Sequence, residues 1–200
     1  MTRLFLILLV FCAFCPVLWA RGEASSPEKI LSSLVSPEKI DGLQGERATN
    51  PRLRKIMFWV ETARLAGKDS AVVIVAAQKL AGYAGTPRAD ADKESLLRNL
   101  AILERLGCLD EAGMAALRTG GAPKIKKGPY MGDTVAVDHI IPIAVVPELE
   151  NRLFNLEFMP TRLNQEKGAK VGVRQRQLAD KWLKLGLLSR QGGEKVHGSS

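Results

Sequence analysis

The chain has two histidines in 200 residues. One, His139, directly follows Asp138 in the stretch VDHIIPIAVVPELENRLFNLEFMPTRLNQEKGAKV, Val137 to Val171. Asn155 lies in the middle of this stretch, and Asn164 and Lys167 stand three residues apart near its end. An aspartate can ligate a hard cation, and an imidazole accepts a proton near neutral pH. An asparagine adds a neutral oxygen ligand and a lysine a cation for phosphate. A phosphodiester resists water because its anionic oxygens repel a nucleophile. A general base can activate the water, and a divalent metal can neutralise developing charge and steady the leaving oxygen. Taken singly, each residue has a plainer reading: His139 as a core or strand histidine, Asp138 as a turn or cap, Lys167 as a surface lysine.

The flanking sequence predicts how these groups are carried. Thr134 to Ile141 alternates and is rich in β-branched residues, which predicts a strand, and Phe154 to Met159 predicts a second. Pro160 opens a helix bearing Asn164 and Lys167, one turn apart on one face. Gly168 loosens that helix, and a further helix is expected from Val173 to Leu185. Strict alternation puts Asp138 and His139 on opposite faces of the strand. Both can serve one site only if the strand ends or bends there, and Pro142 makes that distortion plausible.

The ordered set Asp138, His139, Ile140, Pro142, Asn155, Asn164 and Lys167 resembles the motif of the HNH nucleases, the ββα-metal type. The likeness covers about 35 of 200 residues. It implies His139 as the general base, Asp138 and Asn164 as metal ligands, and Lys167 on a scissile or neighbouring phosphate. It also implies that Asn155 is the residue whose amide ties the connecting loop and helps orient His139; Asn151 is the rival for that place. Two departures from the family pattern stand out. The glycines that often follow the proline are replaced by Ala144-Val145-Val146-Pro147, and no cysteine pairs flank the motif, so no structural zinc is expected. Asp and Asn oxygens suit Mg²⁺ or Mn²⁺. Glu148 and Glu150 read as helix-start or surface charge.

Residues 1–20 read as a secretory signal: Arg3, then an apolar run, then Ala20. The run from Leu4 to Ala20 is 17 residues, the short limit for an uncleaved membrane anchor, which is the competing reading. Cys12 and Cys15 leave with a signal, so Cys108 remains alone and is expected to be a small buried hydrophobe. The formal net charge is +8. Segment 161–190 holds eight bases against two acids. Lys167, Lys170, Arg174, Arg176, Lys181 and Lys184 are the candidates for phosphate contact, with a solvated helix face as the alternative. The loop at Lys124–Lys127 is also basic.

Residues 21–50 are rich in Ser, Pro, Gly and charge. The repeat SPEKI at Ser26–Ile30 and Ser36–Ile40 predicts two short helical turns in a mobile linker. A helical section follows over 51–120. Its helices are expected from Asn50-Pro51 to Gly67, from Asp69 or Ser70 to Ala84, from Asp92 to Leu106, and over Asp110–Arg118. The run Val72–Ala77 is apolar all round, which predicts burial. Trp59 and Tyr83 are expected in the core. The tail from Gln191 reads as disordered.

The fold class expected is α+β and mostly α-helical: an N-terminal helical section, then a C-terminal ββα-metal module over 121–190. The function expected is an exported, metal-dependent endonuclease acting on DNA, with RNA as a second substrate class and low sequence specificity. No stable membrane association is expected after signal cleavage. The rivals are a nucleic-acid-binding module that keeps the fold without catalysis, and a membrane-tethered helical interaction protein.

Overall fold

The computed structural model describes residues 26–45 and 47–199; the segment read as a signal lies outside them. The chain is mostly helical with one small sheet, as expected. Helices α1 (Pro27–Val35) and α2 (Pro37–Asp41) come first, then α3 (Thr49–Leu65), α4 (Ser70–Leu80), α5 (Pro87–Arg105) and α6 (Glu111–Thr119). Strands β1 (Val135–His139) and β2 (Leu156–Pro160) pair antiparallel, with Asp138 opposite Glu157 and His139 opposite Leu156. Helices α7 (Thr161–Lys167), α8 (Val173–Lys184) and α9 (Arg190–Gly198) complete the fold. Among the described residues no helix is long and apolar enough to cross a membrane.

Local signals account for most helix starts. The carboxylates of Asp69 and Asp110 accept the backbone N–H of Val72 at 2.9 Å and of Gly113 at 2.8 Å, each satisfying an amide the helix cannot. The apolar period of α3 is fully used: Leu53, Ile56, Met57, Val60 and Ala63 are buried. Tyr83 and Cys108 are buried and Trp59 packs against the same core. Burial pushes the Cys108 thiol up to about 11, so it stays a protonated, unreactive hydrophobe.

Four expectations need correction. The linker expected through residue 50 is, over Pro27–Asp41, two packed helices. Leu31, Val35 and Ile40 are buried, and α1 lies against α3 and α4. The SPEKI repeat carries apolar residues at helical spacing, and these outweigh its Ser, Pro and charge. The tail is not disordered: Ser189 caps α9, whose Gly192, Gly193 and Val196 are buried. A Cβ on Gly193 would strike the Leu183 side chain of α8, so the Gly-Gly pair allows close docking rather than marking slack chain. Helix α4 is not buried all round: Val72 is 66% exposed and Val75 40%. Finally, α5 begins at Pro87, not Asp92, because Thr86 caps it and Pro87 takes its first turn.

One hydrophobic core runs through α1, α3, α4, α5 and both strands, bringing Leu31, Leu53 and Leu96 together with Val135 and Phe158. A second, smaller cluster sits under the β1–β2 connection, α8 and α9, around Ile141, Phe154 and Trp182. There the Phe154 and Trp182 rings meet edge-to-face at 4.8 Å.

Candidate active site

Helix α7 is set against the sheet by its first residues. Thr161 N–H and Oγ1 both donate to the Thr134 carbonyl, and Arg162 N–H donates to the Asp133 carboxylate. These contacts place the start of α7 beside the start of β1, so the helix runs over the sheet face that carries Asp138. Gly168 ends α7 at φ 53°, a left-handed turn that a side chain would strain. Asn164 and Lys167 are thereby fixed on the last turns.

Strand β1 ends at His139. Asp138, His139 and Asn164 all line one open cleft of about 460 Å³, with Arg47, Pro142 and Gln165 among its other walls. The strand end therefore brings the two adjacent residues to one site despite the alternation. Arg47 has a positive φ of 58°, uncommon for a residue with a side chain.

Asn155 lies in a 3-10 turn, Leu153–Asn155, just before β2 rather than at the strand's start. It is fully buried and clasps the connection. Its Oδ1 accepts Ile141 N–H at 2.8 Å, and its Nδ2 donates to the carbonyls of Ile141 at 3.0 Å and Leu149 at 3.4 Å. The next carbonyl, that of Glu150, lies 3.0 Å from His139 Nε2. A carbonyl can only accept, so Nε2 carries the proton and the lone pair of neutral His139 is on Nδ1. Burial pulls the His139 imidazole below the usual histidine range, only partly offset by the Glu150 carbonyl and the Asp138 carboxylate. Asn151 is engaged elsewhere. It accepts from Thr49 Oγ1 and donates to the Leu43 carbonyl, tying the chain ahead of α3 to this connection.

Asp138 is 7% exposed and faces Glu157 directly across the sheet. Two carboxylates opposite each other repel unless each is compensated. Arg174 grips Glu157 with both guanidinium nitrogens, and Arg98 Nε stands 2.9 Å from it. Burial raises the Glu157 carboxyl, and the two arginines outweigh that and leave it below the usual range. Asp138 is compensated by Lys167, whose Nζ donates to Oδ1 at 3.0 Å and stands 2.8 Å from Oδ2. The same ammonium donates to the His139 carbonyl at 2.8 Å. Burial still pushes the Asp138 carboxyl above the usual range. Its Oδ2 is buried and receives no hydrogen bond of good geometry among the described residues. A buried carboxylate oxygen that receives no hydrogen bond, with Asn164 as a second oxygen-bearing side chain on the same cleft, fits a divalent cation. Among the described residues no three His, Cys, Asp or Glu side chains form a metal cluster; the cleft offers the carboxylate of Asp138, the imidazole of His139 and the amides of Asn164 and Gln165.

Of the basic residues expected to meet phosphate, Arg174 and Lys181 are engaged within the protein. Lys181 pairs with Glu94 of α5 at 2.6 Å, both side chains staying about half exposed, while the face of α8 that packs is that of Ala179 and Trp182. Arg176 donates to the Ser199 carbonyl, and Lys170 reaches the Glu166 carbonyl at 3.4 Å. Lys184 makes no ion pair among the described residues and is exposed.

A set of residues that sequence patterning missed lies on α5. Ser95 Oγ donates to the carbonyls of Leu153 at 2.9 Å and Leu156 at 3.1 Å. Asn99 Oδ1 accepts Phe158 N–H at 2.7 Å while its Nδ2 donates to Leu156 O at 2.9 Å. The Asn99 amide thus pairs with the open edge of β2 as a neighbouring strand would. The signal in the sequence is two polar residues, Ser95 and Asn99, four positions apart beside the apolar stripe Leu96, Leu100 and Leu103. The whole chain matches no protein-family model, no curated protein and no solved structure.

Proposed function

We propose that the protein is a metal-dependent endonuclease of the HNH type, hydrolysing phosphodiester bonds in DNA, and in RNA as a second substrate class, with low sequence specificity. The observation that carries this reading is the convergence of Asp138, His139 and Asn164 on one cleft, with His139 held through Nε2 so that Nδ1 is left to act. A divalent cation such as Mg²⁺ or Mn²⁺, held by Asp138 and Asn164, supplies charge neutralisation at the phosphate and the leaving oxygen. His139 Nδ1 accepts the proton of the attacking water. Asn155 acts as a positioning residue: it fixes the connection from which the Glu150 carbonyl orients the imidazole. Lys167 adds positive charge beside the phosphate. The family likeness implies 5′-phosphate and 3′-hydroxyl products.

The test is incubation of the purified protein with supercoiled plasmid and Mg²⁺, with and without chelator. Nicking that chelator abolishes and Mg²⁺ or Mn²⁺ restores supports the proposal. Cleavage undiminished in chelator removes the metal assignment, and no cleavage under any metal leaves the second reading. That reading, a nucleic-acid-binding module without catalysis, draws on one observation: Lys167 stands where Asp138 would receive a metal. Export is part of the proposal, and N-terminal sequencing should find the mature chain starting near Arg21. A soluble cytosolic product starting at Met1 would refute that part.

A further inference from the structure

We propose that Lys167 is a built-in counter-cation, which holds Asp138 in the metal-free protein and is released toward the cleft when a divalent metal binds. The inference rests on the metal assignment above and concerns how that site is loaded.

Three contacts converge on one ammonium. Lys167 Nζ lies 3.0 Å from Asp138 Oδ1, 2.8 Å from Oδ2 and 2.8 Å from the His139 carbonyl. Both partners are sheltered, the side chains being 15% and 7% exposed. Asp138 sits opposite Glu157, and both arginines within reach there are spent on Glu157. A buried carboxylate with no counter-charge is strongly destabilising, so the empty site needs a cation. Lys167 is placed to be a removable one. It is the last residue of α7 before the turn at Gly168, and its four-carbon stem can swing without moving the helix. Arg174, by contrast, is bound to Glu157 through two nitrogens.

A divalent cation on Asp138 removes the need for the ammonium and repels it. The lysine then turns toward the cleft, one helical turn from Asn164. Lys167 is thus available to a phosphate only when the metal is in place, and in the metal-free protein it is spent on Asp138. The two cations are antagonists for one carboxylate, and antagonism of this kind is reciprocal.

The experiment measures Mn²⁺ affinity of the full chain by electron paramagnetic resonance, and thermal melting in chelator and in saturating Mn²⁺. Lys167→Met and Lys167→Gln both remove the charge; the Gln amide can still donate to Asp138, so that variant guards against a failure to fold. Both should bind Mn²⁺ about tenfold more tightly or better. Both should melt below the parent in chelator and gain more from Mn²⁺ than it does. Lys170→Met, which removes a nearby cation that does not touch Asp138, should leave Mn²⁺ affinity unchanged. Asp138→Asn should abolish binding. If neither Lys167 variant binds Mn²⁺ more tightly than the parent and Lys170→Met, while binding still depends on Asp138, the counter-cation is overturned and the metal site stands. If Asp138→Asn binds as the parent does, or the parent and both Lys167 variants bind no Mn²⁺, the metal site and the counter-cation fall together.

Discussion

Asn155→Ala is the substitution that most directly tests how the cleft is built. The side chain is fully buried and makes three hydrogen bonds across the β1–β2 connection. Truncation leaves the N–H and the carbonyl of Ile141, itself fully buried, without partners. A buried polar group left unsatisfied costs about 1–3 kcal/mol, so two cost about 2–6 kcal/mol, with a smaller loss at Leu149. Against a typical stability of about 5–15 kcal/mol this is a large fraction, readable as a fall in the urea midpoint with little change in slope. The same clasp fixes the Leu149–Glu150 backbone that holds His139 Nε2. Misplacing a catalytic group by about 1 Å costs on the order of 10²-fold in rate, so nicking by folded Asn155→Ala at low temperature should fall by about that much. Asn155→Asp separates geometry from donor loss. It keeps the acceptor for Ile141 N–H but sets a carboxylate against two carbonyls, so it should be destabilised at neutral pH and recover as the pH falls and the acid gains a proton. The Ala variant should show no such recovery. If Asn155→Ala keeps the parent's urea midpoint and cleavage rate, the clasp is not what holds the site.

Four further outcomes follow from the same geometry. His139→Ala should lose about 10²–10⁴ in cleavage rate while keeping fold and DNA binding; because burial lowers this imidazole's affinity for protons, the acid limb of the parent's rate profile should fall below the ordinary value of about 6.5, and a limb above it would contradict the buried, neutral base. Asp92 is fully buried and desolvation raises its carboxyl to about 7, so the fold favours its neutral form; that stabilisation is complete below the ordinary carboxylate range and is lost as pH rises toward 7, and urea melts of Asp92→Asn should gain on the parent over that interval, a constant difference refuting the assignment. Gly193→Ala should drive a methyl into Leu183 and lower the melting temperature by undocking α9, which amide exchange over 190–198 would report; unchanged protection there would mean that α9 is not held by this contact. Replacing Lys170 and Lys184 should flatten the salt dependence of DNA binding by up to about two units of slope, whereas Arg174→Ala should chiefly destabilise the protein, since it strips Glu157 of its bidentate partner; a Lys170 and Lys184 variant with the parent's slope would show that DNA is held elsewhere.

Several parts of this protein were legible from local sequence because local physics makes them. Asp69 and Asp110 cap helices with their own carboxylates, and the apolar period of α3 predicts its buried face residue by residue. The ββα order of the 137–171 stretch follows from chain order and turn chemistry, whereas the residues expected in its cleft were those that the resemblance to the HNH motif implies. Tertiary structure decided the rest, because the deciding contacts join residues far apart in sequence. Ser95 and Asn99 bind the start of β2 and the turn before it, some 57 to 61 positions away, so their polarity names no partner until β2 is laid against them. The SPEKI repeat and the Gly-Gly tail look like slack chain until α3, α4 and α8 supply surfaces to bury them. Whether Arg174, Lys181 and Lys167 face phosphate or carboxylate is likewise undetermined by their charge. Glu157, Glu94 and Asp138 lie 17, 87 and 29 positions distant, and only the folded chain brings each acid within reach.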